Sequence, residues 1–359
     1  MATPDLTLVM VVKNEAKGLE QCIASARPFV GKVIIAVDRA STDKTAQIAE
    51  SLADEVKYFD WSDNFAEARN FAHQGVTTKW ILFLDGHEYI KKCEKLDEYL
   101  QSTEDGLAVT VEMENGMAFR NPRIYKNGIQ FVGAVHEQQL CNTIKYYPDF
   151  IVQHDRIGRQ NPEAAAARDI QRDKMVPTIM AERWAKNNRD IRASFHMGLH
   201  AQSKQQWSAA VKWYNRYLKF ATDKGQVWFV YFNISLCRLT QRKLFRAFWA
   251  VVSAELVNPG RWETEKLKGI IYFERRKYTQ ALDCLVNSMN VNTGDVTYKP
   301  WKRDNAGTFN IIGECFFRLG NYGNASLSFT AAADRCEEKT LVKFFQDRAR
   351  LMLDLSKAG

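Results

Sequence analysis

The apolar run Trp80-Ile81-Leu82-Phe83-Leu84 stops at Asp85-Gly86-His87-Glu88, and two earlier runs stop in the same way. Leu6 to Val12 gives way to Lys13-Asn14-Glu15, and Val33 to Val37 gives way to Asp38. Short unbroken apolar runs predict parallel strands buried on both faces. Between them Ala16 to Arg27, Asp43 to Leu52 and Phe65 to Gly75 carry helical patterning. Residues 1 to about 90 therefore read as βαβα, a parallel sheet with helices on its faces. From Leu107 to Val152 the segments shorten and turn residues gather at Gly116, Asn121-Pro122, Asn127-Gly128 and Gly133. That stretch predicts mixed, partly antiparallel strands completing the sheet.

After Asn161-Pro162 the period becomes helical, and a repeat emerges: a small residue, a large apolar residue and an alanine at fixed spacing. It runs Gly198/Trp207/Ala210, Ser235/Leu244/Ala247, Gly269/Tyr278/Ala281 and Gly313/Tyr322/Ala325, with steps of 37, 34 and 44 residues. Small residues at such positions let paired helices approach closely, while the large one plugs the gap at their turn. The longest step holds an insertion, Val291 to Asp304, in which Tyr298-Lys299-Pro300-Trp301-Lys302-Arg303 interleaves rings with cations. Such a mixture suits stacking on bases while neutralising phosphates, which makes Tyr298, Lys299, Trp301, Lys302 and Arg303 the candidate acceptor contacts. An ordinary exposed loop is the plainer reading.

A length of 359 residues with 46% hydrophobic content fits two domains. The net charge of +8 conceals an asymmetry. Residues 1 to 155 hold 16 Lys and Arg against 23 Asp and Glu, net −7, and the remainder holds 34 against 19, net +15. An acidic front and a basic back predict different partners for each. Seven scattered cysteines without a C-x-x-C pair predict reduced thiols and a cytoplasmic protein rather than a disulfide frame or structural zinc site. The start, Met1 to Asp5, has no basic leader, and no run approaches the ~20 apolar residues of a membrane span. A soluble protein without a membrane partner is expected.

Three strand ends carrying Asn14, Glu15, Asp38 and Asp85 predict one polar rim, because open α/β sheets place ligands at the carboxyl ends of their strands. No G-x-G-x-x-G follows the first strand and no P-loop occurs, so the usual phosphate-cradling glycines are missing. An acidic rim repels phosphate unless a cation intervenes, which points to a divalent metal between carboxylates and a diphosphate.

Taken in order, Val11-Val12-Lys13-Asn14-Glu15, Val37 to Thr45, Asn64-Phe65-Ala66-Glu67-Ala68-Arg69-Asn70-Phe71-Ala72 and Trp80 to Glu88 resemble the inverting family 2 nucleotide-sugar glycosyltransferases of the GT-A fold. Phe131-Val132-Gly133-Ala134-Val135-His136-Glu137 and the trailing repeats resemble the branch with a tetratricopeptide region, which includes bacterial peptide glycosyltransferases. The resemblance implies a GT-A-type domain at 1–157, a linking helix at 158–190 and a tetratricopeptide-like all-α domain at 191–359. It further implies that Asn14, Glu15 and Asp38 line the base and ribose of a nucleotide sugar, most often a UDP-sugar, with Arg69 near the diphosphate or the Asp85 loop. His87 stands where the last acid of the family's D-x-D normally binds the metal. Asp85, His87 and, at the end of the sheet, His154 are then the expected ligands, and imidazole favours Mn²⁺ over Mg²⁺.

Inverting transfer needs a carboxylate within reach of the acceptor hydroxyl or thiol. Glu137 is the expected base and Asp155 the second choice; the structural alternative for Glu137 is an ion pair with Arg120 or Arg123. The basic back half favours a polyanionic acceptor, with hydroxymethylated DNA ahead of a peptide or protein on charge alone. A reading of another class is a degenerate transferase domain in a protein that works only as a repeat-based binding module.

Overall fold

The computed structural model describes residues 5–114, 116–135, 137–155, 162–291, 298–299 and 304–358. They form two compact units, Met1–Ile179 and Met180–Gly359. The first alternates β1 (Leu6–Val12), α1 (Leu19–Ala26), β2 (Lys32–Asp38), α2 (Thr45–Leu52), β3 (Glu55–Phe59), α3 (Phe65–His73) and β4 (Trp80–Phe83). There follow β5 (Glu88–Cys93), α4 (Leu96–Leu100), β6 (Gly106–Met113), β7 (Ala118–Lys126), β8 (Phe131–Val132), β9 (Gln138–Gln139) and β10 (Ile144–His154).

One sheet runs in the order β3-β2-β1-β4-β7-β6-β10-β5, while β8 and β9 pair separately. The pairs among β1, β2, β3 and β4 are parallel. β7 lies antiparallel to β4 and β6, and β10 is parallel to β6 but antiparallel to β5. This is the GT-A-like mixed sheet expected from the sequence.

β1, β2 and β4 are largely apolar because both faces are covered. Leu6, Leu8, Met10 and Val12 pack on one side with Ile35, Val37 and Leu82. Val9 packs on the other with Ile34, Ala36, Ile81 and Phe83. β1 sits between β2 and β4, so connections leave it in opposite directions and its carboxyl end opens a crevice beside theirs.

A 25-residue helix, α5 (Pro162–Lys186), contains the division between the units. Beyond it α6 (Ile191–Ser203), α8 (Lys224–Thr240), α10 (Trp262–Glu274) and α12 (Asn305–Arg318) pack in turn against α7 (Trp207–Tyr217), α9 (Leu244–Val257), α11 (Tyr278–Asn290) and α13 (Tyr322–Ala333). α14 (Lys339–Ala358) packs on α13. These are tetratricopeptide-like pairs.

The spacing seen in the sequence has a direct cause. Ala210, Ala247, Ala281 and Ala325 are fully buried. A Cβ placed on Gly198 would lie 2.4 Å from the Tyr214 ring, and on Gly313 it would lie 2.7 Å from the Phe329 ring. Ser235 uses its small side chain to donate to the Ala247 carbonyl at 2.9 Å. Gly198→Ala is therefore expected to lower stability by about 1–3 kcal/mol, because the buried Tyr214 ring has to move. Urea denaturation of the two proteins checks this, and an unchanged midpoint would mean that the ring has room to yield.

Of the insertion, Tyr298–Lys299 form a short strand. Trp301, Lys302 and Arg303 lie outside the described residues, as does His136. No described helix is long and apolar enough to cross a membrane, and all seven cysteines are free.

Candidate active site

The carboxyl ends of β1, β2 and β4 converge as the apolar runs predict. After β1, Asn14 takes a left-handed φ of 53°, which asparagine tolerates better than most residues. Its Oδ1 accepts from the Thr42 N–H at 2.8 Å and ties the β1 end to the loop after β2. Glu15 is buried; its N–H donates to Thr45 Oγ1 at 2.8 Å, while Asp43 accepts the Thr45 N–H at 2.9 Å and the Ala16 N–H at 3.1 Å. Asp38 is buried at the end of β2, where it accepts from the Ala40 N–H at 2.9 Å and pairs with Lys13 at 2.7 Å.

The polar side chains of Asp85-Gly86-His87-Glu88 divide among two arginines, a glutamate and a histidine, with Arg123 shared by Asp85 and Glu88. Asp85 lies between two guanidinium groups, 3.7 Å from Arg69 and 3.9 Å from Arg123. Both cations rest near the Phe83 ring, Arg69 at 3.5 Å from its centre and Arg123 at 5.7 Å. Burial by itself would raise the Asp85 pKa, but Arg123 and Arg69, aided by His87 and His154, hold its carboxyl well below the usual range.

His87 is buried with Nδ1 3.1 Å from Glu15 Oε1. Burial disfavours its charged form. The Glu15 hydrogen bond and the carboxylates of Asp85, Glu15 and Glu88 outweigh that penalty and raise its pKa. Glu88 is wholly buried, accepts the Asp85 N–H at 3.0 Å and is paired with Arg123.

His154 reaches this cluster through strand register. The antiparallel pairing of β10 with β5 sets His154 opposite Glu88, and its Nδ1 lies 3.1 Å from Glu88 Oε1. The His87 and His154 rings meet edge to face, with centres 4.6 Å apart. The Asp155 N–H donates to the His87 carbonyl at 3.2 Å.

Glu137 arrives from the short segment between β8 and β9. Arg69 grips it through Nε and Nη2, each 2.5 Å from Oε1. The ion pair foreseen for Glu137 thus exists with a different partner: Arg69 takes the place expected of Arg120 or Arg123. Asp85, Arg69 and Glu137 form a continuous chain of charge, so the expected donor and base positions share one rim.

Arg123 and Glu88 join this cluster although the sequence motifs assign neither of them a site role. Their signal was available: Arg123 is charged in a buried stretch of β7, and Glu88 opens β5 without exposure. Among the described residues, no group of three or more His, Cys, Asp and Glu side chains is gathered closely enough to hold a metal ion. The two imidazoles nevertheless turn Nδ1 toward carboxylates, an arrangement that commonly orients histidine for metal binding through Nε2.

Residues 7–161 match the family model for Glycosyl transferase family 2. The chain is similar to a TPR repeat-containing protein of Synechococcus elongatus, at 30% identity over 194 residues, 48% of this chain and 48% of that protein. It also resembles the SPbeta prophage-derived glycosyltransferase SunS of Bacillus subtilis, at 31% identity over 150 residues, 38% of this chain and 35% of SunS. The chain thus spans about half the length of the first relative and about a third of the second. Among solved structures, MamA has a TM-score of 0.41 at 12% identity, covering 48% of this chain and 94% of MamA.

Proposed function

We propose that the chain is an inverting glycosyltransferase that moves a sugar from a nucleoside diphosphate, UDP being favoured, to a peptide or protein. The observation that carries this reading is the contact chain Asp85–Arg69–Glu137 inside the segment that matches the family 2 model. Asn14, Glu15 and Asp38 lie at the end of the rim suited to base and ribose. Arg69 and Arg123 meet the diphosphate. Glu137, with Asp155 as the alternative, takes the proton from the acceptor oxygen or sulfur. The acceptor atom then bonds to the anomeric carbon as the bond to the diphosphate oxygen breaks, with inversion, and the electron pair leaves with the diphosphate.

Glu15, Asp85, Glu88 and Glu137 outnumber Arg69 and Arg123, so a diphosphate entering this rim needs further positive charge. A divalent ion fits that requirement. Asp85, His87 and His154, which do not stand close enough together here to form a ligand set, are the side chains that would have to draw in to hold it, and two imidazoles favour Mn²⁺ over Mg²⁺. When bound, the ion would supply charge to the diphosphate oxygens.

Peptide is placed ahead of DNA because Arg216 lies over the Trp213 ring in the second unit, 4.2 Å from its centre, and covers the face on which a base would stack. The DNA reading drew on the charge of the back half and on the insertion Tyr298 to Arg303, most of which lies outside the described residues.

Thermal unfolding with UDP and Mn²⁺ tests the donor reading. A ligand specific for the folded state adds about 2.7 kcal/mol at a hundred times its Kd. A shift with UDP and Mn²⁺, smaller with Mg²⁺ and absent in Asp85→Ala, is expected. If no nucleoside diphosphate moves the transition, the transferase reading fails and a repeat-based binding role takes its place.

A further inference from the structure

At the start of the second unit, a surface cavity of about 200 Å³ is lined by Trp184 of α5, Asn188 in the turn before α6, and Arg216, Lys219 and Phe220 at the end of α7. Trp184 and Trp213 meet edge to face at 5.5 Å. Arg216 lies over both, 4.2 Å from the Trp213 ring centre and 5.4 Å from that of Trp184. Arg189 stands 5.8 Å from the ring of Phe220, which is 43% exposed.

Cations dominate this cavity and no acid on its lining answers them. Among the described residues, Arg189, Arg216 and Lys219 are all exposed and none is in an ion pair. The neighbouring carboxylate, Asp190, is already engaged: it accepts from Arg183 at 2.9 and 3.0 Å and caps α6 through the Ala193 N–H at 2.9 Å. A basic residue in the last turn of a helix is favoured by the helix dipole, which accounts for Arg216 alone. It does not account for three cations set among three aromatic rings.

We infer that this cavity docks an extended acidic peptide segment, with carboxylates on Arg216, Arg189 and Lys219 and an apolar side chain against Phe220 and Trp184. A guanidinium stacked on a ring is held in place, and its planar fork matches a carboxylate better than a mobile ammonium does. At about 200 Å³ the cavity is smaller than the ~300–1,000 Å³ usual for a free small-molecule ligand, and suits side chains of a longer chain. Arg216 also covers the Trp213 face on which a nucleobase would stack, which disfavours single-stranded nucleic acid. The net +13 of residues 180–359, 29 Lys and Arg against 16 Asp and Glu, draws acidic segments toward the unit. The inference deepens the peptide reading of the acceptor, but its test reads docking without sugar transfer, so the two fail separately.

The probe is a fluorescein-labelled decapeptide alternating Glu and Leu, titrated with the full chain at about 50 mM salt, where surface charge is weakly screened. Its partners are the same peptide with Lys for Glu, and a labelled thymidine oligonucleotide. Saturable polarisation by the acidic peptide is expected, accompanied by a change in tryptophan emission. Arg216→Ala and, separately, Trp184→Leu should each weaken binding by about tenfold or more, as removal of an anchor does. Arg216→Lys, which keeps the charge and loses the fork, should fall between. Circular dichroism identifies any variant that has lost its helices, and Arg216, being exposed, supplies the variant that keeps its fold. Equal binding by wild type and Arg216→Ala, binding by the oligonucleotide alone, or no binding by the acidic peptide would each overturn the inference.

Discussion

Changing Glu137 to glutamine is expected to stop sugar transfer while tightening the hold on the donor. The first effect follows from losing the base: a positioned proton acceptor is worth about 10²- to 10⁴-fold in rate, and glutamine cannot replace it. The second follows from the grip of Arg69, which spends two of its nitrogens on Glu137 while Nη2 lies 3.7 Å from Asp85. A diphosphate that needs the same guanidinium must compete with Glu137 for it. Removing the competitor's charge should improve UDP affinity about fivefold, or about 1 kcal/mol. Calorimetric titration with UDP, together with single-turnover transfer, separates the two effects. Retained transfer would move the base to Asp155 or elsewhere. A loss of UDP affinity would show that Glu137 serves to hold Arg69 in place.

Truncating Glu88 to alanine is expected to be the most destabilising single change at this rim, and for a reason unrelated to chemistry. Glu88 is wholly buried and serves Arg123, His154 and the Asp85 N–H together. Its loss leaves the Arg123 guanidinium, itself buried, beside only the more distant Asp85. Breaking a buried pair from one side typically costs about 3–5 kcal/mol, whereas removing both partners costs far less. Glu88→Ala should therefore lower the first transition by on the order of 10 °C, and Arg123→Met in the same chain should restore most of the loss. Asp85→Asn should lower the transition less than Glu88→Ala, because it gives up the attraction of a depressed carboxyl to Arg69 and Arg123 across 3.7 and 3.9 Å but keeps the close Glu88–Arg123 pair. A double variant no better than Glu88→Ala would mean that Glu88 matters through His154 rather than Arg123.

The strands, their ends and the repeat were legible because each rests on local pattern. An apolar run covered on both faces needs no knowledge of its neighbour, and the small-residue spacing reports a helix approach within about a dozen residues of sequence. The wiring of the rim was not legible. The grip of Arg69 on Glu137 joins positions 68 apart and depends on where the β8–β9 segment lies. His154 meets Glu88 through a strand pairing whose register shifts at Ile151/Val152, and no periodicity announces such a shift. Nor does the string Asp85-Gly86-His87-Glu88 show that its three polar members divide among arginines, a glutamate and the interior. The candidate acceptor contacts at 298–303 rest on composition alone, whereas the Arg216–Trp184 and Arg189–Phe220 contacts join α7 and its end to α5 and the turn after it, which no local spacing announces.

Gly86 has no side chain because there is no space for one: a Cβ there would come within 2.7 Å of the Glu15 Cβ and 2.8 Å of its Cγ. The turn beyond β4 is thereby seated directly on the turn beyond β1. If the proposed donor arrangement holds, the grips for heterocycle and phosphates would behave as a caliper locked at one opening, and a donor short of one phosphate would fall between the jaws.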